Sequence, residues 1–331
     1  MSTENELRDF ECFFTIQEMK DRSRDLYDKW VNLVKEYRDV LDNGSYVSDK
    51  GYTPHDFSHH CKNIYHNLSI LLSGYKNYFN EEELFILNIA VILHDIYMAF
   101  DPSKRETHSF EAKEYIIKQV YTVPQSVMAR NISKQQAMAI GLVVLGHSNL
   151  KSKESEENTI NIVLRDGKNV QGGGGKVLKI PALAALLRLA DELDITSKRI
   201  EGTRRPEHKI NEDSIEYWEN CNLFSEVNLD STSNKIINLV VDDNFIAVHN
   251  EKGNDTINIR KIALKIQREL DMINEFVLNR RDLFSNWTFD KINISSADEE
   301  MQQMITQIDK VDPIETDGLK EEIKKKQKSI I

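Results

Sequence analysis

A histidine and an aspartate stand side by side within a long apolar segment of the sequence. The segment Leu84–Phe100 reads LFILNIAVILHDIYMAF, and His94 and Asp95 form its adjacent polar pair. Burying such groups without partners costs roughly 2–7 kcal/mol for a polar group and more for a charge. A metal ion would satisfy the imidazole and the carboxylate together. This pair is therefore the first candidate for metal ligation.

Further candidate ligands lie on two other predicted apolar helices. His59 and His60 begin one helix, and Asp191 lies near the end of another, in the sequence LLRLADELDIT. Histidine and carboxylate ligands suit a divalent ion such as manganese, iron, nickel, cobalt, zinc or magnesium, and the sequence does not choose among these metals. A site of this kind needs three helices that bring their ends together.

Composition and charge limit the classes of function. The chain has 331 residues and a formal net charge of −11, which disfavours a general nucleic-acid binder, because neutralising phosphates requires basic surface. The cysteines (Cys12, Cys61 and Cys221) are three in number and far apart, so they suggest neither a disulfide framework nor a CxxC metal site. The N-terminus shows no secretory signal pattern, and Leu84–Phe100 is at the short limit for a membrane span. We expect a cytoplasmic protein without a membrane partner.

Hydrophobic periodicity predicts a mainly α fold with a small antiparallel sheet. Predicted helices cover residues 3–42, 59–78, 81–100, 108–119, 133–147, 180–196 and 258–283. Residues 208–250 differ, because apolar and polar side chains alternate there between turn signals. The predicted strands are Asn222–Leu229, Lys235–Val241 and Asn244–His249. Residues 291–331 are rich in charge and predict a charged helical tail.

Five segments, in this order, resemble the HD superfamily of metal-dependent phosphohydrolases. They are TPHDFSHHCKNI, ILHDIYM, HSFEAKEYI, VVLGHS and ALLRLADELDIT, all within about residues 53–200. The sequence is most similar to the HD branch that occurs with Hsp90-like ATPases in bacterial conflict systems. With the composition, the resemblance implies an HD-type helical domain over residues 1–205, a small α+β subdomain over 206–290 and the tail.

The resemblance also assigns residue roles. His94, Asp95 and Asp191 match metal ligands, and one of His59 and His60 completes the set. The spacing from His55 favours His59, whereas His60 shares a helical face with Ile64, Leu68 and Leu71, so both stay candidates. His108 and His147 match positions that hold a second metal or contact the scissile phosphate. The site takes one or two metals, and in a two-metal site Asp95 would bridge them.

Several basic residues are candidates for binding a substrate phosphate. Arg188 lies three residues before Asp191 and could contact a phosphate or pair with Asp191 or Glu192. The cluster Lys198, Arg199, Arg204 and Arg205 follows that helix. Arginine binds phosphate bidentately, so a substrate role is plausible; a solvated turn is the alternative.

The predicted function is that of an enzyme, a metal-dependent phosphohydrolase that cleaves a phosphoester of a nucleotide or related small molecule with metal-activated water. The alternatives are a nuclease for single-stranded nucleic acid, a nucleotide-sensing module in a bacterial defence or stress system, and a di-iron oxygenase.

The sequence GGGGK ending at Lys176 is not a P-loop, because Val177 follows where Ser or Thr is required. An Hsp90-like ATPase partner would therefore act in trans. Long terminal helices leave room for a homodimer.

Overall fold

The computed structural model is mainly helical, with a small sheet near the C-terminal end. It describes residues 3–44, 52–75, 77–148, 158–203, 212–230, 233–249, 252–275 and 288–311. The first part contains α1 (Thr3–Phe10), α2 (Phe14–Arg22), α3 (Arg24–Asp42), α4 (Lys62–Leu72), α5 (Glu81–Leu93), α6 (Ile96–Phe100), α7 (His108–Thr122), α8 (Val127–Asn131), α9 (Lys134–Gly146), α10 (Thr159–Gly167) and α11 (Ile180–Glu192). The second part contains α12 (Glu212–Asn220), β1 (Phe224–Asp230), β2 (Ser233–Val241), α13 (Asp243–His249), α14 (Lys252–Ile273), β3 (Lys291–Ser295) and α15 (Glu299–Val311). The predicted fold class is confirmed.

The N-terminal segment forms three helices, so the single helix predicted over residues 3–42 is wrong. A short turn separates α1 from α2, and Ser23, with extended backbone angles, separates α2 from α3. The Ser23 hydroxyl accepts a hydrogen bond from the Leu26 backbone N–H (3.4 Å), which caps α3. The breaks let this segment fold onto the bundle, where the Phe10 ring stacks on Phe57 with centroids 4.7 Å apart.

α5 is the central helix of the bundle. Asn80 caps it by accepting from the Glu83 N–H, and the Glu83 carboxylate accepts in return from the Asn80 N–H, both at 2.9 Å. Every residue from Glu83 to Leu93 is buried, as an apolar circumference requires. The stretch Glu81–Phe100 is long and apolar enough to cross a membrane, but most of it is buried inside the fold, which is the environment of a core helix.

α9 and α11 complete the core around α5. α9 packs on α5, α7, α10 and α11, and α11 also contacts α4. A second capping box, between Ser133 and Gln136, starts α9, and Pro181 occupies the first turn of α11, where its missing N–H costs no hydrogen bond. All residues of α11 from Ile180 to Ala190 are buried. These apolar surfaces fix the positions of the helix ends.

The three strands form a mixed sheet in the order β1-β2-β3. β1 and β2 are antiparallel, with Val227 opposite Leu239, as the sequence predicts. β3 pairs parallel to β2, with Ile292 opposite Ile237. β3 lies within the range that we expected to be a charged helical tail, so the sheet draws on residues farther along the chain than predicted.

The third strand predicted from sequence, Asn244–His249, is wrong, because these residues belong to α13. The Asp242 carboxylate accepts a hydrogen bond from the Phe245 backbone N–H (3.0 Å) at the start of this helix. Two consecutive aspartates read as a turn signal between strands, but the first of them acts as a helix cap.

α14 joins the sheet to the helical bundle. It packs on α11 on one side and on β3 on the other. Its buried side chains recur every three or four residues, at Ile259, Ala263, Ile266, Leu270 and Ile273. The Gln267 side chain accepts a hydrogen bond from the Ile292 backbone N–H of β3 (2.7 Å). The sheet is thereby held against the bundle through one long helix.

Candidate metal centre

Six polar side chains meet where the ends of the core helices converge. Asp191 lies in the last turn of α11, and His108 is the first residue of α7. His94 and His147 directly follow α5 and α9, and Asp95 follows His94. His60 lies in a short π-helical turn, Phe57–Cys61, that leads into α4. Helix ends are suited to positioning metal ligands. The apolar side chains along each helix pack in the core and fix its position, so the polar residue at its end is held in place.

The first group of donor atoms surrounds one oxygen of the Asp95 carboxylate. Asp95 Oδ2 lies 3.4 Å from His60 Nε2 and 3.3 Å from His94 Nε2. The two imidazole nitrogens are 3.1 Å apart, and His60 Nε2 is also 3.4 Å from Asp191 Oδ1. We call His60, His94, Asp95 and Asp191 the first ligand group.

The second group surrounds the other carboxylate oxygen. Asp95 Oδ1 lies 3.2 Å from His108 Nε2 and 3.6 Å from His147 Nε2, and these two nitrogens are 2.9 Å apart. We call Asp95, His108 and His147 the second ligand group. Asp95 therefore belongs to both groups, with one oxygen directed to each, which is the arrangement that a carboxylate bridging two metals requires.

The ring nitrogens not directed into the site all have hydrogen-bond partners. Nδ1 of His94 contacts the Val91 carbonyl oxygen (2.8 Å), Nδ1 of His108 contacts the Arg105 carbonyl oxygen (2.5 Å), and Nδ1 of His147 contacts that of Val144. A carbonyl can only accept, so each Nδ1 carries the proton and each Nε2 presents a lone pair to the site. Lone pairs 2.9–3.1 Å apart repel unless a cation or a proton lies between them. This donor set fits one or two divalent metals.

The charges of the donor side chains also favour a bound cation. The neighbouring histidines hold the pKa of Asp95 well below its usual range, although burial raises it. Burial and Arg199 lower the pKa of His60, but the carboxylates of Asp194 and Asp95 outweigh them and raise it to about 9. Asp95 similarly raises the pKa of His147 against the effect of burial. Both upward shifts reflect the negative charge of the carboxylates, which a bound divalent cation would also offset.

Four of the six donors, Asp95, His108, His147 and Asp191, line an open pocket of about 720 Å³. Its walls come from the loop before α4, the segment between α6 and α7, the end of α11 and the residues after it, and, from the second part of the chain, α12 and α14. Polar or charged side chains on these walls include Tyr52, His55, Arg105, Glu192, Asp194, Arg199, Tyr217, Asn220, Lys261 and Lys265. The pocket has the size of a small-molecule site.

A comparison with protein families decides the classification of the chain. The model of the family HD-CE matches residues 49–275, about two thirds of the sequence, and this range holds all six donor residues. The chain belongs to the HD-CE family. No curated protein and no solved structure matches it.

Membership of HD-CE confirms the resemblance to HD-type domains. Together with the two buried His/Asp groups, it indicates a metal-dependent enzyme of the HD hydrolase kind. The donors that sequence reasoning proposed as ligands are brought together, apart from His59. The His59 ring instead contacts Asp56 Oδ2 through Nδ1 (2.8 Å) and is partly exposed. The Asp56 carboxylate also accepts from the His59 and His60 backbone N–H groups and so fixes the turn.

The structure corrects the phosphate role predicted for Arg188. This guanidinium is buried and does not line the pocket; its Nε donates to Glu269 of α14 (2.7 Å) and its Nη1 donates to the Ser148 carbonyl (3.3 Å). Its position three residues before Asp191 gives it the same face of α11, but long side chains on a helix point back toward the helix N-terminus. Arg188 ties α11 to α14.

The other basic residues that were predicted to bind phosphate differ in where they lie. Arg199 lines the pocket, but its guanidinium contacts Asp194, with Nη1 3.3 Å from Oδ2 and donating to the carbonyl oxygen at 3.1 Å. Lys198 is exposed beside a much smaller cavity, and Arg204 and Arg205 lie outside the described residues. The charge of Arg199 is therefore already compensated within the protein.

Asp194 is a site residue that sequence reasoning missed. Its Oδ2 contacts His60 Nδ1 at 2.5 Å, and its Oδ1 accepts from the Asn63 amide at 2.8 Å. The carboxylate fixes the orientation of the His60 ring and increases the basicity of Nε2. Its place three residues after Asp191, one turn on, was the available signal.

Replacing Asp194 by asparagine is expected to weaken metal binding by about 10- to 100-fold, because the ring of His60 loses its carboxylate partner while all ligands remain. Competition with a chromophoric chelator measures the affinity. Asp290→Asn, at an exposed position away from the site, is the matched control and should keep the wild-type affinity. Equal metal affinities for Asp194→Asn and Asp290→Asn would show that Asp194 does not support metal binding.

Proposed function

We propose that this protein hydrolyses a phosphoester of a nucleotide or a related small phosphorylated molecule. The observation that carries the proposal is the Asp95 carboxylate, which directs one oxygen to each of two histidine-containing donor groups at the base of the pocket. HD-type membership supports the same reaction class.

The donor residues have different roles in the proposed reaction. His60, His94, Asp95 and Asp191 would hold one metal, and Asp95, His108 and His147 a second. When bound, the metals would activate a water molecule and offset the negative charge of the phosphoryl group. The backbone carbonyls behind His94, His108 and His147 keep the three rings oriented, so the substrate meets a preorganised site. His108, the most exposed of these rings, is best placed to approach the scissile phosphate.

The size and charge of the pocket favour a small substrate. A volume of about 720 Å³ suits a molecule of nucleotide size. Cationic side chains on its walls suit a phosphorylated ligand within a chain whose net charge is −11. That overall charge disfavours a long nucleic acid, which would extend beyond the pocket over an acidic surface.

The test combines elemental analysis of the purified protein with a phosphate-release screen of nucleotides and phosphomonoesters, in the presence of each candidate divalent metal. We expect metal-dependent phosphate release that His60→Ala abolishes. His59→Ala is the matched control, since it removes an adjacent imidazole that faces away from the site, and it should retain activity. A metal-loaded protein that releases no phosphate from the panel would contradict the proposal, and degradation of single-stranded DNA alone would favour a nuclease.

A further inference from the structure

Four cationic side chains line the pocket, and they differ in whether a carboxylate already compensates them. Arg199 contacts Asp194, and Lys265 Nζ lies 2.8 Å from Glu192 Oε2. For Arg105 and Lys261, the described part of the chain offers no carboxylate within ion-pair distance. Lys261 is exposed on a flexible stem, whereas Arg105 is partly buried. Of these four cations, Arg105 is therefore the one that is partly buried and has no carboxylate partner among the described residues.

Two aromatic rings hold the Arg105 guanidinium in place. Its Cζ lies 4.7 Å from the ring centroid of Tyr52 and 5.2 Å from that of Tyr217. Tyr52 comes from the loop before the Phe57–Cys61 turn, and Tyr217 comes from α12. Such cation–π contacts fix the position of a guanidinium without using its N–H donors. Five N–H donors in a planar fork therefore remain for a ligand.

Arg105 is also connected to the metal centre through its backbone. Its carbonyl oxygen contacts His108 Nδ1 at 2.5 Å, and His108 Nε2 faces Asp95. The main chain of Arg105 is thus fixed relative to the second ligand group, one helical turn from His108. An anion at the metal centre would lie in the same pocket as this guanidinium.

We infer that Arg105 binds the non-bridging oxygens of the substrate's phosphate, and that Tyr52 and Tyr217 act as positioning residues for it. The inference rests on the proposed function, since it names the phosphate-binding residue of that same site. It transfers the role expected of Arg188 and Arg199 to an arginine that keeps its hydrogen-bond donors free of carboxylates in the described residues. The planar fork of arginine can bind a phosphate through two N–H groups at once, whereas a lysine ammonium binds it as a point charge.

The test uses inorganic phosphate as the probe, titrated calorimetrically into the full-length protein as purified. Arg105→Gln is expected to weaken phosphate binding roughly 10- to 100-fold, the loss typical of a charge-assisted contact. Arg105→Lys should recover only part of the affinity. Arg165→Gln is the matched control, because it removes the same charge from an exposed arginine paired with Asp166, and should bind as the wild type does.

The positioning role has its own variants. Tyr217→Ala removes the ring and should weaken phosphate binding, whereas Tyr217→Phe keeps the ring and should retain it, because the cation contacts the aromatic face. Metal content is measured for every variant and should match the wild type. A loss of phosphate binding by Tyr217→Phe equal to that of Tyr217→Ala would contradict the positioning role.

The outcomes separate this inference from the proposed function. Equal phosphate affinity for Arg105→Gln and Arg165→Gln, or a wild type that does not bind phosphate, would overturn the inference. It is also overturned if Arg105→Gln and Arg105→Lys both lose metal together with phosphate. Phosphate binding that depends on Arg105, in a protein without activity on any substrate, would support the inference and leave the hydrolase proposal unsupported.

Discussion

Asp95→Asn is expected to remove metal from both ligand groups at once and to reduce turnover at least ~10³-fold, since metal catalysis contributes several kcal/mol and each ~1.4 kcal/mol is a factor of ten. The amide has almost the same shape, so the packing after α5 is preserved. It has no negative charge, and only one of its two terminal atoms is an oxygen acceptor. Elemental analysis and turnover on the substrate found in the phosphate-release screen provide the measurements.

Asp191→Asn is the informative comparison, because Asp191 contacts His60 Nε2 of the first ligand group at 3.4 Å, whereas Asp95 contacts histidines of both groups. We expect this variant to lose metal from the first group alone and to keep the metal of the second. Circular dichroism should show an unchanged helical content for both variants. If Asp95→Asn loses no more metal than Asp191→Asn, the two oxygens of Asp95 do not serve separate metals.

Removing the Glu269 carboxylate is expected to destabilise the protein by about 3–5 kcal/mol, because it leaves a buried guanidinium without a counter-ion. The side chain of Arg188 is only 1% exposed, and its Nη2 lies 2.5 Å from Glu269 Oε2. Urea unfolding of Glu269→Ala measures the change in the free energy of unfolding. Asp28→Ala, which breaks the exposed pair with Arg24, should cost no more than about 1 kcal/mol.

The double variant Arg188→Met/Glu269→Leu distinguishes a lost ion pair from lost packing. Replacing both charges by apolar side chains of similar size is often neutral or stabilising, so this variant should regain most of the lost stability. A double variant as unstable as Glu269→Ala would show that the packing of α14, and not the unpaired charge, determines the effect.

Much of the helical core could be predicted because its signals are local. The buried residues of α5 and α11 form long apolar runs, and Asn80, Ser133 and Pro181 mark helix starts with side chains that act within one turn. The metal ligands were accessible for a related reason, since a polar residue inside an apolar run must have a partner. The pattern does not identify that partner, but it does show that one is needed.

Several of the missed features depend on contacts between distant residues. Periodicity continues across Ser23, so nothing in the pattern alone shows that the chain turns back there. β3 has few apolar residues, and it becomes a strand because β2 offers hydrogen bonds to it. The partner of Arg188 lies 81 residues along the chain. The choice of His60 over His59 likewise follows from Asp194, 134 residues away.

Two stretches of the chain line the pocket described above, and they contribute different kinds of residue. The metal donors all precede residue 200, in or beside the ends of the core helices, whereas Tyr217, Lys261 and Lys265 come from α12 and α14. Exchanging the later stretch for that of another protein would therefore redesign which molecule is accepted while preserving the chemistry performed on it. Substrate choice could then change without any substitution among the metal ligands, provided that the helix replacing α14 supplies a carboxylate to pair with Arg188.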